Sequence, residues 1–286
     1  VENLRFHHQI NVSDNFSHDQ DKTLPKAVDL LAKETQLSKQ KIKLAMKQGA
    51  VWLTQGKKTK RLRRADKTLM SKQKIDIYYD EALLKANPVE PILVKDEGQY
   101  SIWYKPYGLL SQGSKWGDHH TINRYAEKHL QPQRPAFVVH RLDRAANGLM
   151  LLAHTKQMAA SLAKLFQERN IIKYYQAIVH GNFSDQDIVL DTPIDNKPAK
   201  SIAKKLRYDV SSNRSLIHVK IESGRKHQIR KHLSNYGFPI EGDRLYGKAN
   251  LKDKNLQLSA IFLSFSCPIQ QTLQEYHLND NLKLEL

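Results

Sequence analysis

Residues 138–153 read VVHRLDRAANGLMLLA, and few other stretches limit the fold so tightly. Two valines lead into a polar turn, His140-Arg141-Leu142-Asp143, and Gly148 releases the chain into the apolar run Leu149–Ala153. Short bounded apolar runs pack in a core, although periodicity alone does not separate a buried strand from a buried helix. The chain must therefore carry charge between two core segments. Asp143 is flanked by Arg141 and Arg144, and opposite charge favours the carboxylate even where it is partly buried. Two roles fit such a residue: a structural Arg–Asp pair at a loop, or a catalytic carboxylate. The rest of the chain decides between them.

A length of 286 residues suits one large domain with a small one, and 40% hydrophobic residues can fill a real core. The single cysteine, Cys267, makes no internal disulfide and no zinc spacing, which suits a reducing cytoplasm. No apolar run approaches the roughly 20 residues that span a bilayer. The polar stretch from His7 to Lys22 shows no signal peptide. Lys and Arg number 46 against 29 Asp and Glu, a net charge of +17. Such a surplus points to a polyanion, and nucleic acid is favoured over an anionic membrane because no basic amphipathic helix carries aromatic anchors.

Residues 1 to about 22 read as a strand or an extended arm. Leu24, Val28, Leu31 and Ala32 then recur at helical spacing, with Pro25 in the first turn. Ser38 caps a second helix through Ile42, Ala45 and Met46, and Gly49 stops it. Val51–Thr54 reads as a strand, Gln55-Gly56 as a turn, and Lys74–Tyr79 as a strand with Ile75 and Ile77 inward. Between Lys39 and Lys74 lie thirteen Lys or Arg and one acid, Asp66. Charge runs are commonly just solvated faces, but this one lies on a folded pattern, which suits contact with a phosphate backbone.

Residues 82–95, with Pro88 and Pro91, read as a linker. Ser101–Tyr104 reads as a strand and Thr121–Leu130 as a helix. Thr155 caps a further helix whose apolar face is Ala159, Leu162, Ala163 and Phe166. Ile171–Val179 is a strand on which Tyr174 and Tyr175 point to opposite faces. Residues 180–214 are polar and turn-rich, with an insertion-like segment over 191–205. Ile217, Val219 and Ile221 mark a half-buried strand, a helix follows with Ile229, Leu233 and Tyr236 on one face, and Leu258–Phe265 closes the chain as a strand.

His140-Arg141-Leu142-Asp143 followed by Gly148-Leu149 resembles the central motif of the RluA-type RNA pseudouridine synthases. Four more motifs follow that family in order: Lys105-Pro106 with Gly108-Leu109, Lys173-Tyr174-Tyr175-Gln176-Ala177, Gly224–Leu233, and Gly242–Gly247. The resemblance covers roughly residues 92–268. It implies Asp143 as the catalytic residue, Tyr175 beside it, Arg230 paired with it, and Arg141 as the group that displaces the target nucleotide. Residues 22–80 are similar to the alpha-L RNA-binding motif of ribosomal and RNA-modifying proteins. The chain departs from the usual pattern at Ala146-Asn147, where Thr-Ser is usual, at Lys226 for Thr, and at Ser259 for His.

Converting uridine to pseudouridine breaks the bond from base to ribose, turns the base and rejoins it through carbon. No redox change is involved, so neither a cofactor nor a metal is expected. A carboxylate can act as a covalent nucleophile, on the ribose or on the uracil ring, and the residues do not choose between them. Arg230 would keep Asp143 ionised and oriented, and Tyr175 could stack on the uracil and help move its carbon-bound proton. His227 and His232 are five apart, which spoils a zinc pair on a helix. There is no Gly-x-Ser-x-Gly elbow and no phosphate-binding glycine loop.

The expectation is an α+β enzyme: a mixed, mainly antiparallel sheet in a catalytic domain over 96–286, a linker over 82–95, and a small αβ RNA-binding domain with its arm over 1–81. Asp143, Tyr175 and Arg230 are the candidate catalytic set. His140, Arg141, Lys105, Arg225 and His227 are expected to meet RNA near the site, with Lys39, Lys43, Lys57, Lys58 and Arg61 on the small domain. The implied partner is RNA, ribosomal RNA of the large subunit before transfer RNA, with no membrane and a monomeric, cytoplasmic protein. The alternatives are a transfer RNA synthase, or an RNA-binding assembly factor of the same fold with impaired catalysis.

Overall fold

The computed structural model describes residues 4–13, 24–87, 89–247 and 254–286. Parts of the expected N-terminal arm (1–3 and 14–22) and Pro88 of the expected linker lie outside the described residues. The chain divides into two compact units, one of Val1–Pro88 with Gln112–Arg124, the other of Val89–Ser111 with Tyr125–Leu286.

In the first unit β1 (Arg5–Asn11), β4 (Lys74–Asp80), β2 (Val51–Gln55) and β3 (Lys58–Arg61) form one antiparallel sheet in that spatial order. Its helices are α1 (Ala27–Thr35), α2 (Lys39–Lys47) and α3 (Glu81–Lys85). Ser38 Oγ accepts the Lys41 N–H, closing the first turn of α2. Leu31, Ile42, Met46, Ile75 and Ile77 are fully buried in a core of this unit's own. The expected N-terminal strand is β1, paired with β4 along its whole length. Pro25 stands before α1, not within it, and Leu24 is exposed.

The second unit carries a ten-stranded sheet. Its path is β10 (Ile188–Leu190), β11 (Ser201–Asp209), β12 (Arg214–Ile221), β9 (Ile171–His180), β13 (Leu258–Ser266), β8 (Asn147–Ala153), β6 (Tyr100–Lys105) and β5 (Ile92–Asp96). The short strand β7 (Phe137–Val138) pairs with β8, and β14 (Leu273–His277) with β13. Every pairing is antiparallel except β13 with β8. At that junction Gly148 has φ 115°, and a Cβ there would collide with the Ala260 backbone. The helices are α4 (Ile122–His129, whose first turn falls in the first unit), α5 (Lys156–Gln167) and α6 (Gln228–Asn235). The mixed, mainly antiparallel α+β architecture is the expected one.

Two segments differ from their sequence reading. The stretch read as a linker contains α3 and β5, and the turn-rich stretch before residue 214 contains β10 and β11. In both cases the periodic signal is missing for a physical reason. Strand β5 is an edge strand whose residues are mostly exposed. Strand β11 turns the small residues Ser201 and Ala203 inward and is broken by a bulge between Lys205 and Arg207, so neither shows apolar alternation. The run after Gly148 resolves as strand β8, buried throughout from Gly148 to Ala153.

Candidate active site

Asp143 stands in the loop between β7 and β8, and that loop is tied down on both sides. Leu142 is buried; its N–H donates to Ser111 Oγ (3.0 Å) and its carbonyl accepts the same hydroxyl (2.7 Å). The Arg144 carbonyl accepts the Gly108 N–H, and Arg144 Nε donates to the Gly108 carbonyl (3.2 Å). The Ala146 N–H donates to the Asp143 carbonyl, closing a turn around the carboxylate. His140 Nε2 accepts the Leu151 N–H (2.9 Å) and its ring stacks on Phe166. Burial, with a smaller push from Lys173, lowers His140 to about 3, so it stays neutral and can accept that bond. These contacts place Asp143 with its side chain 26% exposed, at a cavity of about 260 Å³.

Helix α6 delivers Arg230 to it. Arg230 Nη1 donates to Asp143 Oδ2 at 3.2 Å, while Nε and Nη2 make a bidentate pair with Asp243 at 2.8 and 2.7 Å. Asp243 Oδ1 also accepts the N–H groups of Leu245 and Tyr246. Burial works against ionisation of both partners. The Arg230 bonds and these N–H groups still hold Asp243 below the usual carboxylate range, and the two carboxylates hold Arg230 above its usual value. His227 Nε2 lies 3.7 Å from Asp143 Oδ1, and its Nδ1 lies 2.9 Å from Tyr246 Oη. Tyr175, in register with Val219 and Ala260, is buried. Burial, then the nearby Asp143 charge, pushes its phenol well above its ordinary range, so it stays protonated at neutral pH.

The other expected residues fall into two groups. Arg141 is exposed, as are Lys43, Lys57 and Lys58 on the first unit, and Lys39 is exposed but paired with Asp29 at 2.6 Å. The remainder are committed to the protein itself. Lys105 is fully buried, with Nζ on the carbonyls of Pro106 (3.0 Å) and Leu109 (2.9 Å), so no face is left for a phosphate. Burial lowers it to about 7, the Asp143 charge opposing and Arg144 adding to the effect. Arg225 Nε donates to the Pro198 carbonyl. Arg61 holds the carbonyls of Gly49 and Ser114 and the Asp118 carboxylate, which Arg63 shares.

Sequence reasoning left Tyr246 and Asp118 unread and gave Asp243 no definite role, though Gly242–Gly247 stood out as a motif. Two departures from the family pattern turn out to be neighbours: Ser259 of β13 pairs with Asn147 of β8. Each carries a buried side-chain oxygen without a protein hydrogen-bond partner, Ser259 Oγ and Asn147 Oδ1. Among the described residues no group of His, Cys, Asp or Glu has the make-up of a metal site, and no helix is long and apolar enough to cross a membrane.

Asp143, Arg230 and His227 line one cavity, and Tyr175 is buried within reach of the Asp143 charge. The RNA pseudouridylate synthase family matches residues 99–235, and the chain belongs to that family: it is an isomerase, an intramolecular transferase acting on RNA. The chain is 32% identical to the dual-specificity RNA pseudouridine synthase RluA of Vibrio parahaemolyticus, over 65% of this chain and 83% of that one. It is 31% identical to the ribosomal large subunit pseudouridine synthase D of Buchnera aphidicola, over 64% of this chain and 63% of that one. The human RNA pseudouridylate synthase domain containing 1 shares its fold, at TM-score 0.57 and 20% identity over 67% of this chain and 84% of that one.

Proposed function

We propose that the chain is an RluA-type synthase converting specific uridines of structured RNA to pseudouridine, with Asp143 as the catalytic carboxylate and large-subunit ribosomal RNA as the first candidate substrate. The observation that carries this reading is the Arg230–Asp143 contact at the cavity mouth. A buried guanidinium 3.2 Å from the carboxylate keeps it aimed, and orientation is a large part of what a nucleophile needs.

In this mechanism the target uridine leaves the RNA stack, as chemistry on a base requires, and exposed Arg141 takes its place. Asp143 attacks the ribose or the uracil ring, the bond from N1 to the ribose breaks, the base turns, its C5 bonds to the ribose carbon that N1 left, and the bond to Asp143 breaks to release the carboxylate. The C5 proton is lost and N1 gains one, so the reaction is balanced without an external reagent. Tyr175, held protonated, packs against the uracil and offers an O–H in place of a base.

The small basic domain, similar to an alpha-L motif over roughly residues 22–80, supplies phosphate contacts from Lys39, Lys43, Lys57 and Lys58. The ribosomal name of the Buchnera relative supports the substrate choice. The dual-specificity name of the Vibrio relative favours a second RNA, for which transfer RNA is our candidate.

Pseudouridine mapping of total RNA from cells with the gene intact, deleted, and rescued by wild type or Asp143→Asn tests this reading. Sites that vanish on deletion and return only with wild type are expected. Rescue by both proteins removes Asp143 from its role, and no altered site removes the synthase reading.

A further inference from the structure

His227 occupies an unusual place for a residue at the start of a helix. It is the N-cap of α6, yet its side chain makes no capping bond and its backbone is left-handed, φ 55° and ψ 29°. A non-glycine residue in that region is strained and persists where its surroundings demand it, often at functional sites. The His227 carbonyl accepts the Lys231 N–H, but the side chain takes no part in capping the helix. What the conformation achieves is to set the imidazole between two side chains from other parts of the chain. Nδ1 lies 2.9 Å from Tyr246 Oη, and Nε2 lies 3.7 Å from Asp143 Oδ1.

The arrangement favours one position for the ring proton. An unprotonated Nε2 would point a lone pair at a carboxylate oxygen, whereas an Nε2–H points a positive hydrogen at it. With the proton on Nε2, Nδ1 is an acceptor, and Tyr246 Oη–H is the donor placed to serve it. Tyr246 is in turn held where it is because its N–H, like that of Leu245, donates to Asp243 Oδ1. Asp243 is the carboxylate that anchors Arg230. The two partners of Asp143 thus hang from one anchor.

We propose that His227 is a positioning residue for Asp143: Tyr246 sets its tautomer, and its Nε2–H holds Asp143 Oδ1 while Arg230 holds Oδ2. The inference rests on the reading of Asp143 as the catalytic carboxylate. The 3.7 Å separation is that of a site without substrate, and such contacts tighten when a substrate displaces water. The charged and titratable groups facing the imidazole are Asp143 from the β7–β8 loop, Asp243 and Tyr246 from the turn after α6, and Arg230 and Lys226 from its own segment. Burial is the largest influence on the ring and lowers its pKa, with Arg230 and Lys226 adding to this and Asp143 and Asp243 opposing it. The neutral form with a single ring proton is thereby favoured, and in that form the tautomer matters.

The test uses the full chain and unmodified transcripts of large-subunit ribosomal RNA and of a transfer RNA set, tritiated at uridine C5. Tritium release in a single turnover reports the chemical step, filter binding the RNA affinity, and ¹⁵N-histidine NMR the tautomer. His227→Ala is expected to slow release roughly 10²-fold, the effect of an ångström-scale misplacement, at unchanged RNA affinity. His227→Gln, whose amide N–H can stand in for Nε2–H, is expected to recover most of that rate. Tyr246→Phe is expected to lose the tautomer preference. An Nδ1–H tautomer in the wild type overturns the proposal. A loss confined to RNA affinity, or a Gln variant as slow as Ala, also overturns it. Failure of the underlying reading looks different: there Asp143→Asn matches the wild type, or the wild type releases no tritium from either RNA, whatever the tautomer.

Discussion

Arg230 gives two of its hydrogen bonds to Asp243, at 2.8 and 2.7 Å, and only one, at 3.2 Å, to Asp143. The division of labour follows from burial. Asp243 has a side chain 1% exposed and Asp143 one that is 26% exposed. The deeply buried carboxylate neutralises the arginine and fixes its plane, which leaves Nη1 aimed at the carboxylate that faces the cavity.

Asp243→Asn is therefore expected to harm stability as well as rate. Removing one partner of a buried pair costs about 3–5 kcal/mol, measurable by urea unfolding at neutral pH. The folded-state pKa of Asp243 is depressed, so its contribution is present above the unfolded value and is lost as pH falls through the lower folded one. The difference between wild type and variant should persist at neutral pH and shrink below about pH 4.

Lys105→Met should reveal the opposite slope. A lysine lowered to about 7 when folded and near its ordinary value when unfolded disfavours folding below pH 7, where it is charged in both states. That penalty fades as pH rises from 7 towards the unfolded pKa, because the unfolded chain binds more protons there. Stability of the wild type relative to Lys105→Met should rise by a few kcal/mol across this range, at roughly 1.4 kcal/mol for each pH step between the folded and unfolded pKa values. Parallel urea curves at pH 7 and pH 10 check it, and equal differences at both would show that the ammonium is not strained by burial.

At the one parallel junction of the sheet, Gly148→Ala meets two obstacles: a positive φ and the Ala260 backbone. The variant should lose roughly 2–4 kcal/mol, read as a lower urea midpoint at unchanged slope. Because Asn147 and the Asp143 loop lead directly into this strand, turnover should fall with it.

Arg61 and Arg63 both close on Asp118, which offsets their charge. Asp118→Ala should tighten RNA binding at low salt and steepen its salt dependence, by up to about 0.9 in slope for each phosphate newly met. Replacing exposed Lys57 and Lys58 with Ala should flatten it. Filter binding across a salt series separates the two effects, and an unchanged slope in Asp118→Ala would mark both arginines as purely structural.

Much of the architecture was legible because local periodicity reflects burial on one face. The capped helices α2 and α5 and the alternating strand β12 were readable in this way, whereas β4, β9 and β13 are buried on both faces over much of their length. Strands β5 and β11 were not readable, since an exposed edge and a bulged strand with small inward residues leave no alternation to read. Lys105 illustrates a different limit: its charge suggested a phosphate contact, but the fold closes over it and spends its donors on two carbonyls.

The sequence by itself determined the capped helices, the basic character of the first unit and the charged turn around Asp143, while Tyr175 and Arg230 became candidates through the family resemblance. It could do so because side-chain volume, turn chemistry and charge act over a few neighbouring residues. Only the tertiary structure decided which charges meet. Arg230 and Asp143 are 87 positions apart, Arg61 and Asp118 lie far apart in the chain as well, and His227 reaches Asp143 only through a left-handed turn. Such pairings are set by strand register, by loop closure, and by the need to match every charge withdrawn from water. No local pattern records them.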